Sequence, residues 1–369
     1  MSLNLADYAT SRRQRGLLTG RAIAAVSRIW RWEFWPMWLF YLPLLPWIAW
    51  LAVRHRGFTT PTAANPAIPH GGVVGEPKYE ILRNLPTEWV VPSELIASGQ
   101  PSDRFCALQR TIEARGWQYP IILKPDAGER GAGLKLVRSE NDARVYLSRY
   151  PAPVIAQAYH TGPFEAGIFY YRIPGQEAGR IFSITDKHMP VLVGDGESTV
   201  RELIFRHTRF RMQANRFLSR LKGQADAVLP AGSPMRLAIA GNHCQGTMFC
   251  DGGHLITPQL ESTVDQIARA FDGFYFGRFD VRYADVEQFK AGRGFSIIEL
   301  NGVTSESTNI YDPSWSLLRA YSVLFRQWAV LFRIGAENRR RGHMVTNLKA
   351  LAQEVIAYNR QKQADPVSD

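Results

Sequence analysis

The sequence has few cysteines, very few lysines in its first third and no P-loop. Its 369 residues include three cysteines, none in a CxxC spacing, which argues against a structural zinc site and against a disulfide framework. The pattern GxxxxGK[ST] is absent, so the strand–loop–helix phosphate site of that class is excluded. Lys78 is the sole lysine before Lys124, and the chain has no internal repeat.

A lysine followed by a glycine-rich segment forms the first candidate site. The apolar run before Lys124 predicts a buried strand, and Leu134–Val137 resumes strand character after the loop. The loop contains three glycines: Gly128, Gly131 and Gly133. Glycines let backbone N–H groups approach phosphate oxygens closely, so the segment predicts a phosphate flap, with an ordinary hairpin turn as the alternative.

A second candidate site follows about 150 residues later. Arg278 and Asp280 alternate with apolar Phe279 in a period-two pattern, which places both on one face of a predicted strand. Glu299 and Asn301 share a face of the next strand. Hard oxygen ligands on neighbouring strands suit magnesium bound to phosphates, and Arg278 suits a developing oxyanion. The alternative is an exposed hairpin with a salt bridge.

In this order and at this spacing, the motifs resemble the ATP-grasp superfamily, specifically carboxylate–amine ligases such as D-alanine–D-alanine ligase and cyanophycin synthetase. The resemblance covers about Tyr119 to Tyr311. It implies an α+β fold in which two α+β lobes hold ATP. It also implies that Arg278 stabilises a tetrahedral intermediate and that Mg²⁺ or Mn²⁺ is bound by three residues: Asp280, Glu299 and Asn301.

The same resemblance assigns the nucleotide contacts. Lys124 and the glycine loop would contact the phosphates of ATP. Val154–Tyr159, including Gln157 and Tyr159, resembles the strand whose backbone reads adenine, and Glu165 matches the position that binds the ribose hydroxyls. The family uses a further cation before the loop, for which the sequence offers three candidates: Lys78, Arg104 and Arg110.

The implied reaction joins a carboxylate to an amine through an acyl phosphate, with release of ADP. Two alternatives of other classes are a non-catalytic membrane-bound nucleotide sensor or scaffold and an ATP-grasp phosphotransferase. The loop after Asn301 departs from the relatives, so the substrates are not implied. The basic, aromatic stretch from Phe205 to Lys222 is typical of an amphipathic helix; a solvated or membrane-facing patch is favoured over nucleic-acid binding.

The N-terminus predicts a membrane anchor. Phe34–Val53 is an uncharged run of about twenty residues, rich in Trp and Tyr and flanked by arginines. Its mid-run prolines, Pro43 and Pro46, would break a helix, and because both flanks are basic a re-entrant hairpin with both ends inside is favoured over a span with the N-terminus outside. Leu17–Trp32 predicts an amphipathic helix on an anionic membrane surface. We therefore expect the inner (cytoplasmic) membrane, with the catalytic domain facing the cytoplasm and substrates that are lipid-linked or membrane-delivered.

These patterns divide the chain into four parts. Residues 1–58 form the anchor, 59–118 a linker and a shortened region before the ATP-grasp core, 119–335 that core, and 336–369 a terminal helix and tail. The stretch 59–78 is rich in Pro, Gly, Thr and Ala, which indicates a loop with many turns.

Overall fold

The computed structural model describes residues 31–127, 133–221, 223–238 and 241–362. Helices and mostly antiparallel strands are mixed along these ranges, so the predicted α+β class is confirmed. The predicted amphipathic helix at Leu17–Trp32 and two of the loop glycines, Gly128 and Gly131, lie wholly or largely outside the described residues.

The described helices and strands alternate irregularly along the chain. The helices are α1 (Met37–Tyr41), α2 (Leu45–Arg54), α3 (Lys78–Arg83), α4 (Pro101–Arg115), α5 (Glu140–Arg149), α6 (Val200–Arg206), α7 (Ala214–Arg220), α8 (Pro258–Ala270), α9 (Val286–Lys290), α10 (Leu317–Arg340) and α11 (Leu348–Lys362). The strands are β1 (Ser93–Ile96), β2 (Ile121–Pro125), β3 (Lys135–Val137), β4 (Val154–Ala158), β5 (Phe164–Tyr171), β6 (Arg180–His188), β7 (Val191–Val193), β8 (Pro234–Arg236), β9 (Met248–Asp251), β10 (Phe276–Tyr283) and β11 (Phe295–Asn301).

Contacts divide the chain into two compact units. One unit contains the residues up to Pro43 together with His188–Met248, and the other contains Leu44–Lys187 together with Phe249–Asp369. The second unit is built on a four-stranded sheet in the order β1-β4-β2-β3 and a five-stranded sheet in the order β11-β10-β5-β6-β9. All of the candidate site residues that the structure describes belong to this unit.

The five-stranded sheet has one apolar and one polar face. Its apolar face packs on α8 and contributes Ile168, Tyr170, Phe279 and Val281 to the largest core cluster. Because side chains alternate across a strand, the residues between these positions share the opposite face. That polar face carries the charged residues predicted from the sequence.

The four-stranded sheet positions the first candidate site. Its strand β2 pairs antiparallel with β4 and β3, with Ile122 opposite Gln157 and Leu123 opposite Lys135. Leu123 and Ile121 are fully buried against α4 and α5, which fixes the strand in register. The position of Lys124, the residue before the last of β2, is therefore fixed.

The segment predicted as a linker is rich in turns, as expected, but it is buried. Asn65 is 0% exposed, and its side-chain amide donates to Phe276 O at 2.7 Å while its oxygen accepts from Tyr275 N and Phe276 N at 2.9 Å. Asn338 on α10 donates to the carbonyls of Ala63 and Ala64. The segment is thus a structural part of the second unit rather than a free tether.

The basic stretch Phe205–Lys222 does not form one amphipathic helix. Within the first unit, α6 ends at Arg206, a 3₁₀ turn spans Phe210–Gln213, and α7 follows. The break is local, because Nδ1 of His207 accepts from Arg209 N and Phe210 N, both at 3.3 Å, and its ring stacks on Phe210 at 3.7 Å. The prediction of a single helix was wrong for this stretch.

The predicted re-entrant hairpin is also not formed. The residues from Met37 to Arg54 stay helical, with a 3₁₀ turn at Leu42–Leu44 in place of a chain reversal. Pro43 and Pro46 are accommodated because each lies in or just after that turn, at the start of α2, where a helix lacks N–H partners in any case. In the described part of the chain, Met37–Arg54 is the one helical stretch whose length and composition would suit a membrane span.

Candidate functional site

Two opposed carboxylates form the centre of the candidate site. On the polar face of the five-stranded sheet, Asp280 of β10 pairs directly with Glu299 of β11, and Arg278 pairs with Asn301. Antiparallel pairing brings the side chains of such partners within reach of each other. The two strands predicted from period-two patterning therefore place all four residues on one patch, as the sequence predicted.

Arg278 is held in place from both ends. Its Nε donates to Asp280 Oδ1 at 3.0 Å, and its Nη1 donates to the backbone carbonyl of Glu306 at 3.0 Å. Neighbouring Gly167 on β5 makes room for it, since a Cβ at that position would lie 3.0 Å from Arg278 Cδ and 3.2 Å from Asp280 Oδ1. The guanidinium is thus a fixed positive charge beside the carboxylates.

Lys187 lies in the same patch and was missed by the sequence reasoning. Its Nζ is 3.0 Å from Asp280 Oδ1 and 3.0 Å from Glu165 Oε1, and its side chain is 4% exposed. Glu165 also accepts from Arg282 Nε at 3.2 Å. Ser183, Thr185 and Lys187 alternate on β6 with Phe182 and Ile184, and this period-two signal marks the same polar face.

Lys124 reaches the patch from the other sheet. Its Nζ donates to Ile298 O at 2.8 Å and to Gln157 Oε1 at 3.2 Å. Gln157 is 3% exposed, and its amide donates to Ser93 Oγ at 2.9 Å, so its side chain is committed to positioning Lys124. Burial lowers the pKa of Lys124 to about 8, although Glu299 acts in the opposite direction.

Of the three candidates for a further phosphate-binding cation, the structure brings one to the site. Lys78, the first residue of α3, donates to Glu299 Oε1. Arg104 is instead buried among backbone carbonyls, donating to Ala97 O at 2.9 Å and Ala152 O at 2.7 Å. Arg110 lies on the exposed side of α4, where its Nε faces Cys106 O at 3.4 Å.

The charges of the patch set its protonation. Burial raises the pKa of Asp280, but the charges of Arg278 and Lys187 outweigh it and lower that pKa to about 2. Burial likewise opposes ionisation of Glu299, but the charge of Lys78 lowers its pKa. Both carboxylates are therefore ionised at neutral pH.

Cations and carboxylates are interleaved in this cluster. The cationic members are Lys78, Lys124, Lys187, Arg278 and Arg282, and the carboxylates within interaction range are Glu76, Asp126, Glu165, Asp280, Glu299 and Glu306. The carboxylates can hold a cation and the lysines and arginines an anion, because the low local dielectric strengthens each interaction.

The oxygen donors of the patch fit a magnesium ion that is also bound by phosphates. Asp280 and Glu299 are close enough for the charge of Asp280 to raise the pKa of Glu299, a repulsion that a divalent cation would relieve. Asn301 Nδ2 lies 3.5 Å from Asp280 Oδ2, so its amide oxygen is available nearby. Among the described residues, no group of three or more His, Cys, Asp and Glu side chains is arranged to hold a metal by itself. Magnesium commonly binds through one or two carboxylates plus phosphate and water.

The remaining predicted nucleotide contacts lie around β2 and β4. Tyr159 follows β4, and Arg282 Cζ lies 5.8 Å from its ring centroid. Gly133 adopts a φ of 71°, and a Cβ there would lie 2.7 Å from Pro125 Cγ, so only glycine fits. The roles of these residues, of Gly128 and Gly131, and of Glu165 toward ribose stay predictions.

Comparison with known proteins gives structural likeness alone. No family model matches the chain, and no curated protein matches it. Among solved structures, a bifunctional glutathione synthetase from Pasteurella multocida shares 17% identity with a TM-score of 0.35, covering 65% of this chain and 34% of its own. The chain thus spans about a third of that protein's length.

Two further solved structures are similar at the same level. The ATP-grasp ligase PsnB, complexed with a minimal precursor, has 12% identity and a TM-score of 0.35 over 68% of this chain and 59% of its own. A D-alanine–D-alanine ligase from Bacillus anthracis has 13% identity and a TM-score of 0.35 over 72% and 66%. What this chain itself does must be inferred from its own side chains.

Proposed function

We propose that this chain is an ATP- and Mg²⁺-dependent ligase that joins a carboxylate to an amine. The observation that carries the proposal is the opposed pair Asp280 and Glu299, surrounded by buried cations on the polar face of one sheet. Two ionised carboxylates next to buried lysines and arginines suit a metal–polyphosphate, because the carboxylates can bind the metal and the cations the phosphates.

The lysines are positioned to bind the phosphates of ATP. Lys78, Lys124 and Lys187 approach the two carboxylates from three different elements, and each is at least four-fifths buried. In phosphoryl transfer the protein mainly positions the groups and neutralises charge. The Mg²⁺ held by Asp280 and Glu299 would supply further neutralisation of the β- and γ-phosphate oxygens when bound.

The reaction proceeds in two balanced steps. A carboxylate oxygen of the first substrate attacks the γ-phosphorus, the bond to the β-phosphate oxygen breaks, and ADP leaves. An amine nitrogen then attacks the acyl carbon, inorganic phosphate leaves with the electron pair of its C–O bond, and the nitrogen loses a proton. Arg278, clamped between Asp280 and Glu306 O, supplies a fixed charge for the oxyanion of that tetrahedral intermediate.

We place this activity at the cytoplasmic face of the inner membrane, where ATP is present, with a substrate that is lipid-linked or delivered by the membrane. The support is the apolar stretch Met37–Arg54, with its tryptophans and flanking arginines. Val53→Glu, on the exposed side of α2, would then impair turnover of a membrane-delivered substrate in vesicles far more than turnover of a small soluble analogue.

The test is ADP release by the full chain in detergent with magnesium, against a panel of carboxylates, amines and membrane-lipid extracts. Activity should require one acid and one amine together, and should fall by at least about a hundredfold in Arg278→Ala and Glu299→Gln. Arg293→Ala and Glu287→Gln are matched controls, because both residues are exposed on the surface beyond the site.

Trapping with hydroxylamine distinguishes the proposed ligase activity from a phosphotransferase activity. An acyl phosphate reacts with hydroxylamine to give a hydroxamate, so a hydroxamate should form from the acid alone in the presence of ATP. ADP release with a phosphorylated alcohol and no hydroxamate would support the phosphotransferase instead. ATP binding without ADP release under every substrate mixture would support the sensor.

A further inference from the structure

Helix α2 has two apolar faces, of which one is exposed. Leu45, Trp50 and Val53 on that face are 54%, 47% and 76% exposed, and Phe58 just beyond the helix is 66% exposed. A helix that is apolar on all sides is normally buried. Single exposed apolar side chains are common on protein surfaces, but these four large apolar side chains lie along one short segment and form a patch.

The opposite face of α2 is fixed to the enzyme body. Leu51 and Ala52 are 2% exposed and pack with Phe332 of α10, and Trp47 Nε1 donates to Phe325 O at 3.0 Å. The patch therefore has a fixed orientation relative to α10. It does not belong to a helix that moves freely on a tether.

This packing argues against α2 as part of a span through the bilayer. One face of its 10 residues is covered by α10, where Leu51 and Ala52 are 2% exposed, so the helix cannot face lipid on all sides. To insert α2 fully, the membrane would also have to take in α10, whose exposed residues include Arg326 and Arg333. Each arginine at the centre of a bilayer is strongly disfavoured.

A basic collar lies at the C-terminal end of the same helix. Arg54 and Arg56 are exposed, and Arg54 stacks over Trp50 at 5.3 Å. The end of α10 meets this point, because Arg339 donates to His55 O at 2.8 Å and to Arg56 O at 3.2 Å.

Arg340 extends the collar. Its side chain is 68% exposed, although it is paired with Glu337. Burial, followed by the charges of Arg54, Arg340 and Arg339, lowers the pKa of His55, which is consistent with these arginines converging there. Like charges are thus concentrated beside the apolar patch, in a chain with a formal net charge of +11.

We propose that the apolar patch (Leu45, Trp50, Val53 and Phe58) and the basic collar (Arg54, Arg56 and Arg340) dock onto the surface of an anionic lipid bilayer. The helix lies in the plane of the membrane, the apolar side chains enter the boundary between headgroups and acyl chains, and the arginines contact lipid phosphates. This deepens the membrane association proposed above, but it does not depend on the ligase activity.

The side chains of the apolar patch and the basic collar suit an anionic bilayer better than a protein partner. Tryptophan and arginine are the side chains that favour the interface between lipid and water, and basic clusters bind anionic headgroups. A protein partner would be expected to bind independently of lipid charge. The occupant is therefore identified by comparing lipid vesicles of different charge.

The experiment is flotation of the full chain with vesicles of phosphatidylcholine alone or with about a third phosphatidylglycerol. We expect binding to the anionic vesicles, weakened by high salt, and release by an alkaline carbonate wash, since in-plane proteins are extracted and spanning proteins are not. Val53→Glu should abolish binding. Arg54→Gln with Arg56→Gln should weaken it by about fivefold per residue.

Leu318→Glu is the matched control, because Leu318 is 81% exposed at the opposite end of α10 and lies outside the patch. It should bind vesicles like the wild type. Retention of Val53→Glu on vesicles, equal binding to neutral vesicles, or resistance to carbonate would each overturn the proposal. ADP release measured in detergent on the same proteins tests the ligase separately, and Val53→Glu should leave it unchanged there.

Discussion

The clearest physical test of the site concerns the charge on Lys124. This lysine is 7% exposed, and burial lowers its pKa from the ordinary 10.5 to about 8. Because the unfolded chain keeps the proton up to about 10.5, the unfolded state binds more protons than the folded state between these two values. Folding stability therefore rises with pH across this window, and it falls as the pH drops from 10.5 to about 8.

The size of the effect follows from the two pKa values. Each unit of difference corresponds to about 1.4 kcal/mol. Between pH 7 and pH 10, Lys124 should add about 2.5 kcal/mol to the free energy of unfolding, somewhat less than the full difference of about 3.5 kcal/mol, because pH 10 lies below the unfolded pKa of 10.5 and the rest of the gain falls above pH 10. In Lys124→Met this contribution is absent, and its lost hydrogen bonds to Gln157 and Ile298 change stability equally at both pH values.

The assay is urea unfolding of the wild type and of Lys124→Met at pH 7 and pH 10. The difference in unfolding free energy should shift by about 2.5 kcal/mol in favour of the wild type at the higher pH. Lys78→Met is the control. Burial lowers the pKa of Lys78, but Glu299 outweighs it and raises that pKa above 10.5, so its stabilising charge persists throughout this window. A difference for Lys124→Met that does not change with pH would refute the desolvation reasoning.

Two further predictions concern packing and a buried ion pair. Gly167→Ala should displace Arg278 and lower kcat/KM for ADP release at least tenfold with the fold retained; Gly253→Ala, whose Cβ would meet nothing closer than 3.4 Å, should not. In the other unit, Glu33→Gln leaves the buried Arg209 without its partner and should cost about 3 to 5 kcal/mol in urea unfolding at pH 7. Burial raises the pKa of Glu33, but His243 and Arg209 outweigh it and lower that pKa, so this difference should shrink steadily as pH falls below the ordinary 4.5; a difference of the same size at pH 3 as at pH 7 would contradict the ion-pair explanation.

The strands that carry the site could be predicted because their pattern is local. In β10 and β11, polar and apolar residues alternate, so Arg278 and Asp280 had to share a face, as did Glu299 and Asn301. A shift of one residue in either strand would bury these charges in the apolar core, and this cost fixes the register. The pairing of Asp280 with Glu299 follows directly.

Other features could not be fixed from the sequence, because they depend on distant contacts. Lys78 was one of three candidate cations, and only its contact with Glu299, 221 positions away, distinguishes it from Arg104 and Arg110. Asn65 bonds to Phe276, 211 positions away, so a stretch with the composition of a linker is buried in the core. The alternation of polar and apolar residues along β6 placed Lys187 on the polar face of that strand, but a single lysine in a strand is more often exposed than buried in a site.

The destabilised charge of Lys124 gives the strongest reason to regard the cluster as a ligand site. Buried ion pairs usually add little net stability, and apolar residues of similar volume often replace them at no cost. A cluster kept only for structure would be expected to stabilise each of its charges, whereas this cluster includes Lys124, whose charge the fold destabilises. An anion that binds beside Lys124 would offset this cost. Its binding should therefore raise the pKa of Lys124 and stabilise the fold most strongly below about pH 8, where Lys124 is charged and the unliganded protein bears the full cost of the buried charge.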